Sequence, residues 1–325
     1  MRVSYPVLFF ELNKAINPNS AKNETGKRGL GSVKKNLIIT GNGFDLHHHM
    51  RTQYTDYRNY LIDSGNKDIV DCFEISSEGD GEQEYINFLW SRLEEVIALL
   101  PYEQAYPYLK SYRDEAWLDS YHHDFQNEVE KMSKYWPGMK DNLAPWIRTI
   151  NYTTACDNLK KIINSEANFI SFNYTNTLEK LYGISKSDIC YIHGDASKED
   201  DLVLGHRNDS YYPEWDDNNM DEDVRLLNAG VFMEKFRKET YKSVEQIMIS
   251  NKSFNYFLSE FSYDEIYVIG LSYNDVDKLY IEEISKKQDS RWHFVYYSDE
   301  DRKKVPEYAE GIGIFNYSII GYDDI

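Results

Sequence analysis

Five places in this chain put Gly, Asn, His or Ser directly after a short apolar run: Gly41-Asn42-Gly43, Asn173, His193-Gly194, Gly205-His206 and Gly270-Leu271-Ser272. Each of these residue types has chemistry to offer in such a place. In Gly41-Asn42-Gly43-Phe44-Asp45 the glycines allow the backbone to approach a phosphate, and the amides of a following helix would meet it with positive ends. Leu46 stands where a G-x-G-x-x-G fingerprint has its third glycine, so the residues suit a plain tight turn equally well. Asp45 can hold a ribose or a base edge, or cap the next helix. Asn173 offers a carboxamide that can hold a sugar hydroxyl or orient a water. Its neighbour Asn176 has capping-box spacing to Glu179, which accounts for Asn176 without function. His193 carries the usual general base near neutral pH. Ser272 and Asp275 can contact a nucleotide or cap the helix after them.

Other patterns are excluded by geometry. His47-His48-His49 cannot share one helix face, because successive helical residues point about 100° apart, and His122-His123 fails for the same reason. H-E-x-x-H, G-x-S-x-G and G-x-x-x-x-G-K-[ST] are all absent from the sequence. The three cysteines, Cys72, Cys156 and Cys190, lie far apart with no C-x-x-C. They suggest neither a disulfide framework nor a zinc site, and a reducing cytoplasm suits them. No metal is expected.

The elements that must position these residues follow from the apolar pattern. Short apolar runs predict strands at Asn36–Thr40, Asn168–Phe172, Ile189–Ile192, Leu202–Leu204, Glu265–Ile269, Arg291–Tyr297 and Ile314–Ile319. Helical spacing predicts helices at Tyr54–Ile62, Glu82–Leu100, Glu115–Tyr135, Pro145–Ile163, Asn176–Tyr182, Val224–Ser250, Asp275–Lys286 and Asp299–Ala309. Strands alternating with helices predict an α/β fold with a Rossmann-like, mostly parallel sheet, and residues 81–165 form an inserted all-helical subdomain. The α/β domain then comprises 36–80 and 166–325. Ligands bind beyond the carboxyl ends of such strands, where the residues above stand.

The 325 residues carry 36 Lys and Arg against 55 Asp and Glu, a net charge of −19. That balance disfavours nucleic acid and anionic lipid as partners. No apolar run reaches membrane-spanning length. The charge is uneven. Residues 1–36 carry seven bases and two acids, and residues 195–223 carry eleven acids and two bases. The first segment, over 1–35, predicts a flexible N-terminal arm, and the second a solvated acidic loop just after His193. The 28 tyrosines can serve a homo-oligomer surface or simply the core.

Leu37-Ile38-Ile39-Thr40-Gly41-Asn42-Gly43-Phe44-Asp45-Leu46 resembles the opening of the AbiH family of bacterial abortive-infection proteins. His48-His49-Met50-Arg51-Thr52 and Tyr54-Thr55-Asp56-Tyr57 continue the resemblance, with His49 where the family usually has Gly. Phe172-Asn173-Tyr174-Thr175-Asn176-Thr177-Leu178-Glu179, Ile192-His193-Gly194, Leu204-Gly205-His206, Gly270-Leu271-Ser272 and Asp275 to Tyr280 follow in family order, so the similarity runs from about Asn36 to Tyr297. The family is in turn distantly similar to sirtuins, which implies NAD as ligand or substrate. On that analogy Gly41, Asn42, Gly43, Phe44 and Asp45 hold NAD, with Gly194, His206, Gly270, Ser272 and Asp275 nearby. Asn173 and His193 then catalyse hydrolysis of the nicotinamide–ribose bond. The paired cysteines of the sirtuin zinc module are missing, so deacetylation is not implied. A defence role implies a phage-derived trigger. Two other readings stay open: a nuclease or RNA-targeting effector using His193 and His206, and a non-catalytic nucleotide- or phage-sensing module.

Overall fold

The computed structural model describes residues 36–74, 82–100, 121–163, 166–198, 201–207 and 224–325. Six strands form one sheet among them: β1 (Asn36–Thr40), β2 (Ala167–Ser171), β3 (Ile189–Tyr191), β4 (Glu265–Ile269), β5 (Arg291–Tyr296) and β6 (Tyr317–Gly321). Their order is β3-β2-β1-β4-β5-β6 and every pairing is parallel. This is the doubly wound, Rossmann-like arrangement. Its order reverses on either side of β1, so the crevice between the ends of β1 and β4 is the topological switch point.

Period-two alternation feeds two cores. Leu37, Ile39, Ile170, Ile266, Val268, Trp292 and Phe294 enter one, while Ile38, Phe169, Ile269 and Val295 enter the other. The first face is covered by α10 (Val244–Ser250), α11 (Lys252–Glu260), α12 (Asp275–Lys287) and α13 (Asp299–Gly311). The second is covered by α1 (Asn42–His47), α8 (Thr177–Tyr182) and the 159–163 turn. A third apolar cluster joins α2 (Tyr54–Asp63), α3 (Lys67–Phe73), α4 (Glu82–Ser91), α5 (Leu93–Val96), α6 (Tyr121–Asp141) and α7 (Leu143–Thr149). It also takes in Ala196, Leu202, Leu204 and, from α9 (Val224–Glu239), Phe236. Helices from 54–73, from 82–149 and from 224–239 therefore share one core.

The last strand runs Tyr317–Gly321 rather than Ile314–Ile319, and residues 115–120 of the predicted Glu115–Tyr135 helix lie outside the described residues, while its described part continues to Asp141. Four further predicted elements differ. Leu202–Leu204 forms no strand: Leu202 and Leu204 pack into the helical cluster, and Val203 donates its amide to the His193 carbonyl at 3.0 Å. The Glu82–Leu100 helix breaks between α4 and α5. Only Leu143–Thr149 of the Pro145–Ile163 region is α-helical. Beyond it tertiary hydrogen bonds win over helix propensity: the Tyr152 hydroxyl bonds Asn176 Oδ1, and the Thr153 hydroxyl bonds the His48 carbonyl. The Val224–Ser250 helix is interrupted at Thr240–Ser243, where the chain runs beside His206. The expected N-terminal arm lies outside the described residues, as does most of the acidic loop. No helix among the described residues is long and apolar enough to cross a membrane.

Candidate active site

A cavity of about 410 Å³ opens at the carboxyl ends of the central strands. That volume is within the range of small-molecule sites. Its wall includes Gly41, Asn42, Gly43 and Asp45 after β1, Phe172 to Thr175 after β2, His193 after β3 and Gly270 to Asn274 after β4. The helical cluster closes it with Tyr54, Arg92, Glu94, Glu95 and Trp146, and α12 adds Asp277.

The glycine side of this wall is built by close packing. Gly41 donates its amide to the Ile269 carbonyl at 3.0 Å, and Gly43 donates to Gly270 at 2.8 Å. A Cβ on Gly41 would meet the Gly270 oxygen at 2.6 Å, and one on Gly270 would meet the Phe44 nitrogen at 2.1 Å. Gly270 also has φ +67°, where side chains are disfavoured. These glycines thus let two strand-end turns pass back to back. The amides of Gly43 and Phe44 are already bonded, the latter to the Gly41 carbonyl at 2.9 Å.

Asp45 is buried behind this turn and accepts hydrogen bonds from the hydroxyls of Thr175 and Thr177, the latter at 2.7 Å. Burial raises its pKa to about 6, against the lowering effect of Thr175, Thr177 and Asn173. Asp45 therefore ties the turn after β1 to the loop after β2. It does not cap α1, whose N-cap is Gly41. Asn42 donates from its carboxamide to the Thr52 carbonyl at 3.0 Å.

The opposite side is built differently. His193 is buried among the rings of Phe172, Tyr174 and Tyr280. Its Nδ1 lies 3.1 Å from the Phe172 carbonyl oxygen. A carbonyl only accepts, so Nδ1 carries the proton of the neutral ring and Nε2 presents a lone pair. Nε2 is buried without a hydrogen-bond partner. It sits 3.4 Å from Asp277 Oδ1, within ion-pair distance but not aligned as a hydrogen bond. Burial would raise the Asp277 pKa, but the Lys242 ammonium holds it well below the usual carboxylate range. Lys242 Nζ, fully buried, lies 2.8 Å from Asp277 Oδ1 and 3.7 Å from Glu94 Oε2. Glu94 also accepts from the Tyr54 hydroxyl at 2.9 Å.

Asn173 lines the cavity, its amide bonded to Ser171 Oγ. Ser272 also lines it and is exposed. Phe44 is a core residue stacked near His48 and Tyr182. Gly194 and His206 are not in the cavity wall. The His206 imidazole bonds the Arg237 carbonyl at 3.1 Å. Asp275 is exposed and paired with Lys278 at 3.5 Å, while Asp277, one helical step on, faces the cavity. Asn176 is the N-cap of α8, yet its side chain makes no cap bond and instead meets Tyr152, so the capping box is not formed. His47 stacks on Tyr322, and His48 bridges the Phe44 carbonyl and the Tyr182 hydroxyl, both at 2.7 Å. His49 adopts φ +56°, a left-handed conformation.

Lys242, Glu94 and Asp277 were not singled out from sequence. Asp277 had a signal, since it lies in the first turn of the helix after Gly270-Leu271-Ser272. Lys242 and Glu94 had none, because a lone Lys or Glu on helical material reads as a solvated surface.

No curated protein matches the chain. The family model "Bacteriophage abortive infection AbiH" matches residues 37–297, which spans β1, the helical cluster, the cavity wall and β5. The chain belongs to the AbiH family of bacteriophage abortive infection proteins.

Proposed function

We propose that this abortive-infection protein defends against phage by hydrolysing the bond between nicotinamide and ribose in NAD, or the equivalent bond of a related nucleotide, in the cavity at the switch point. The observation that carries this reading is His193 Nε2, buried at the cavity wall without a partner and 3.4 Å from Asp277 Oδ1. Two acceptors this close can share one proton donor, and a water bonded to both from the cavity would be deprotonated as it attacks. The C1′–N bond breaks, and its electron pair leaves on the nicotinamide nitrogen, which loses its positive charge. The water oxygen bonds C1′, and its proton passes to Nε2. Asn173, which lines the same cavity, would hold the ribose.

The wall chemistry favours the positively charged end of the nucleotide. Asp45, Glu94, Glu95, Asp277 and Asp301 line the cavity, against two cations: Arg92, paired with Glu95, and buried Lys242 behind Asp277 and Glu94. A cleft dominated by one sign of charge attracts the opposite charge. The bonded amides of the glycine turn leave it less suited to cradling phosphates than its sequence suggests.

The test is nicotinamide release from NAD by purified protein, with and without phage lysate. His193→Gln is expected to lower turnover by about 100-fold or more, and Asn173→Ala to lower it as well. Unchanged turnover in His193→Gln overturns the assigned base. Binding of NAD without turnover in the wild type under either condition replaces catalysis with nucleotide sensing.

A further inference from the structure

Lys242 is a buried cation in a polar cluster with Asp277, Glu94 and His193. Its side chain is fully buried, and an isolated ammonium in such a place would be strongly disfavoured. It persists between two carboxylates from different parts of the fold: Asp277 on α12, which packs on the sheet, and Glu94 on α5, in the helical cluster. The chain segment that carries it is fixed by its backbone. His206 donates its amide to the Thr240 carbonyl at 2.9 Å, and Lys242 donates to the His206 carbonyl at 2.8 Å. A Cβ at Gly205 would lie 2.2 Å from the Thr240 oxygen, so glycine is required for this approach. The Gly205-His206 pair, which does not reach the cavity, thus sets the position of a residue that acts on it.

We propose that Lys242 is a positioning residue: it holds the Asp277 carboxylate ionised and aimed at His193. The groups facing Asp277 are His193 after β3, Tyr174 after β2, Tyr280 on α12 itself and Tyr308 on α13, with Glu94 beyond Lys242. Burial holds all three tyrosines well above their ordinary range, so they stay neutral. Among the described residues, Lys242 is the lysine or arginine whose side chain meets this carboxylate, at 2.8 Å.

This inference rests on the NAD-cleaving reading for its rate measurement but not for its ionisation measurement. The carboxyl carbon of Asp277 is followed by NMR from pH 7 to pH 4 in selectively labelled protein. It should stay ionised throughout in the wild type and in Glu94→Gln. In Lys242→Met it should titrate inside that window, and in Lys242→Arg it should again stay ionised. The rate of NAD cleavage should fall about 100-fold in kcat in Lys242→Met with KM within about threefold, and recover at least partly in Lys242→Arg. Should Lys242→Met fail to fold, Lys242→Gln is read in the same way. An Asp277 carboxylate that stays ionised down to pH 4 without the lysine charge overturns the inference. So does a kcat unchanged by Lys242→Met in an active enzyme. A wild type that does not cleave NAD overturns only the functional reading, and the titration still decides the role of Lys242.

Discussion

The two sides of the cavity wall are made of different physics. On the glycine side, polar groups are already committed to one another: Gly43 to Gly270, and Asp45 to Thr175 and Thr177. On the His193 side, a ring nitrogen is buried without a partner, and a carboxylate is kept charged by a buried lysine. The first side has these groups satisfied, although the buried hydroxyls of Thr40 and Thr52 beside them have no partner. The second keeps hydrogen-bonding capacity in reserve, which is what a reacting group needs. The motif that most invites a functional reading is thus mainly a device for packing, and the proposed chemistry lies opposite it.

This contrast can be broken most severely at Gly270. Gly270→Ala puts a Cβ into the Phe44 amide at a backbone angle unfavourable to side chains, and denaturant unfolding should show a loss of about 4 kcal/mol or failure to fold. Gly183 has nearly the same angle, φ +66°, but open space around it. Gly183→Ala should lose only about 1 kcal/mol. Equal losses at the two sites would remove the back-to-back packing of the turns as the explanation for the glycines.

Asp45 sharpens the contrast through pH. Its folded-state pKa is raised from 3.8 to about 6. The folded chain therefore holds a proton more tightly than the unfolded chain. The stabilisation this provides is fully present below about pH 4 and is lost as pH rises through about 6. The stability difference between wild type and Asp45→Asn should change by roughly 2 kcal/mol between pH 4 and pH 7, with the wild type relatively stronger at low pH. A difference constant with pH would show that Asp45 is ionised in the fold across that range. Asp277 has the opposite sign: its pKa is depressed, so its contribution is retained until strongly acidic pH.

The smallest effect is expected at His49. It is exposed and left-handed, and His49→Gly should gain about 0.5 kcal/mol, because relief of backbone strain exceeds the added freedom of the unfolded chain. A loss on thermal unfolding would mean that the His49 side chain stabilises the turn.

Much of the sheet is legible from local pattern. Asn36–Thr40, Glu265–Ile269 and the helix that begins at Asp275 are bounded as their apolar residues and flanking turns require. The misread regions are those where distant partners outweigh local preference. Thr153 leaves the helical path to bond His48, and Leu202 with Leu204 alternates like a strand yet fills the helical core. At the site, Asn173 and His193 are recognisable because polar residues at strand ends are unusual in type and place. Asp275 and Asp277 cannot be told apart by composition; the helix turns one outward and the other inward.

The sequence by itself determined the alternation of strands and helices, the family, and the strand ends at which Asn173 and His193 stand, because each of these is written in short-range pattern. Only the tertiary structure decided which polar groups would be satisfied. Gly41 and Gly270 meet across 229 positions of chain, and Lys242 is drawn out of the solvent between Glu94 and Asp277. Burial and pairing are properties of the folded neighbourhood, and no residue carries them in its own type.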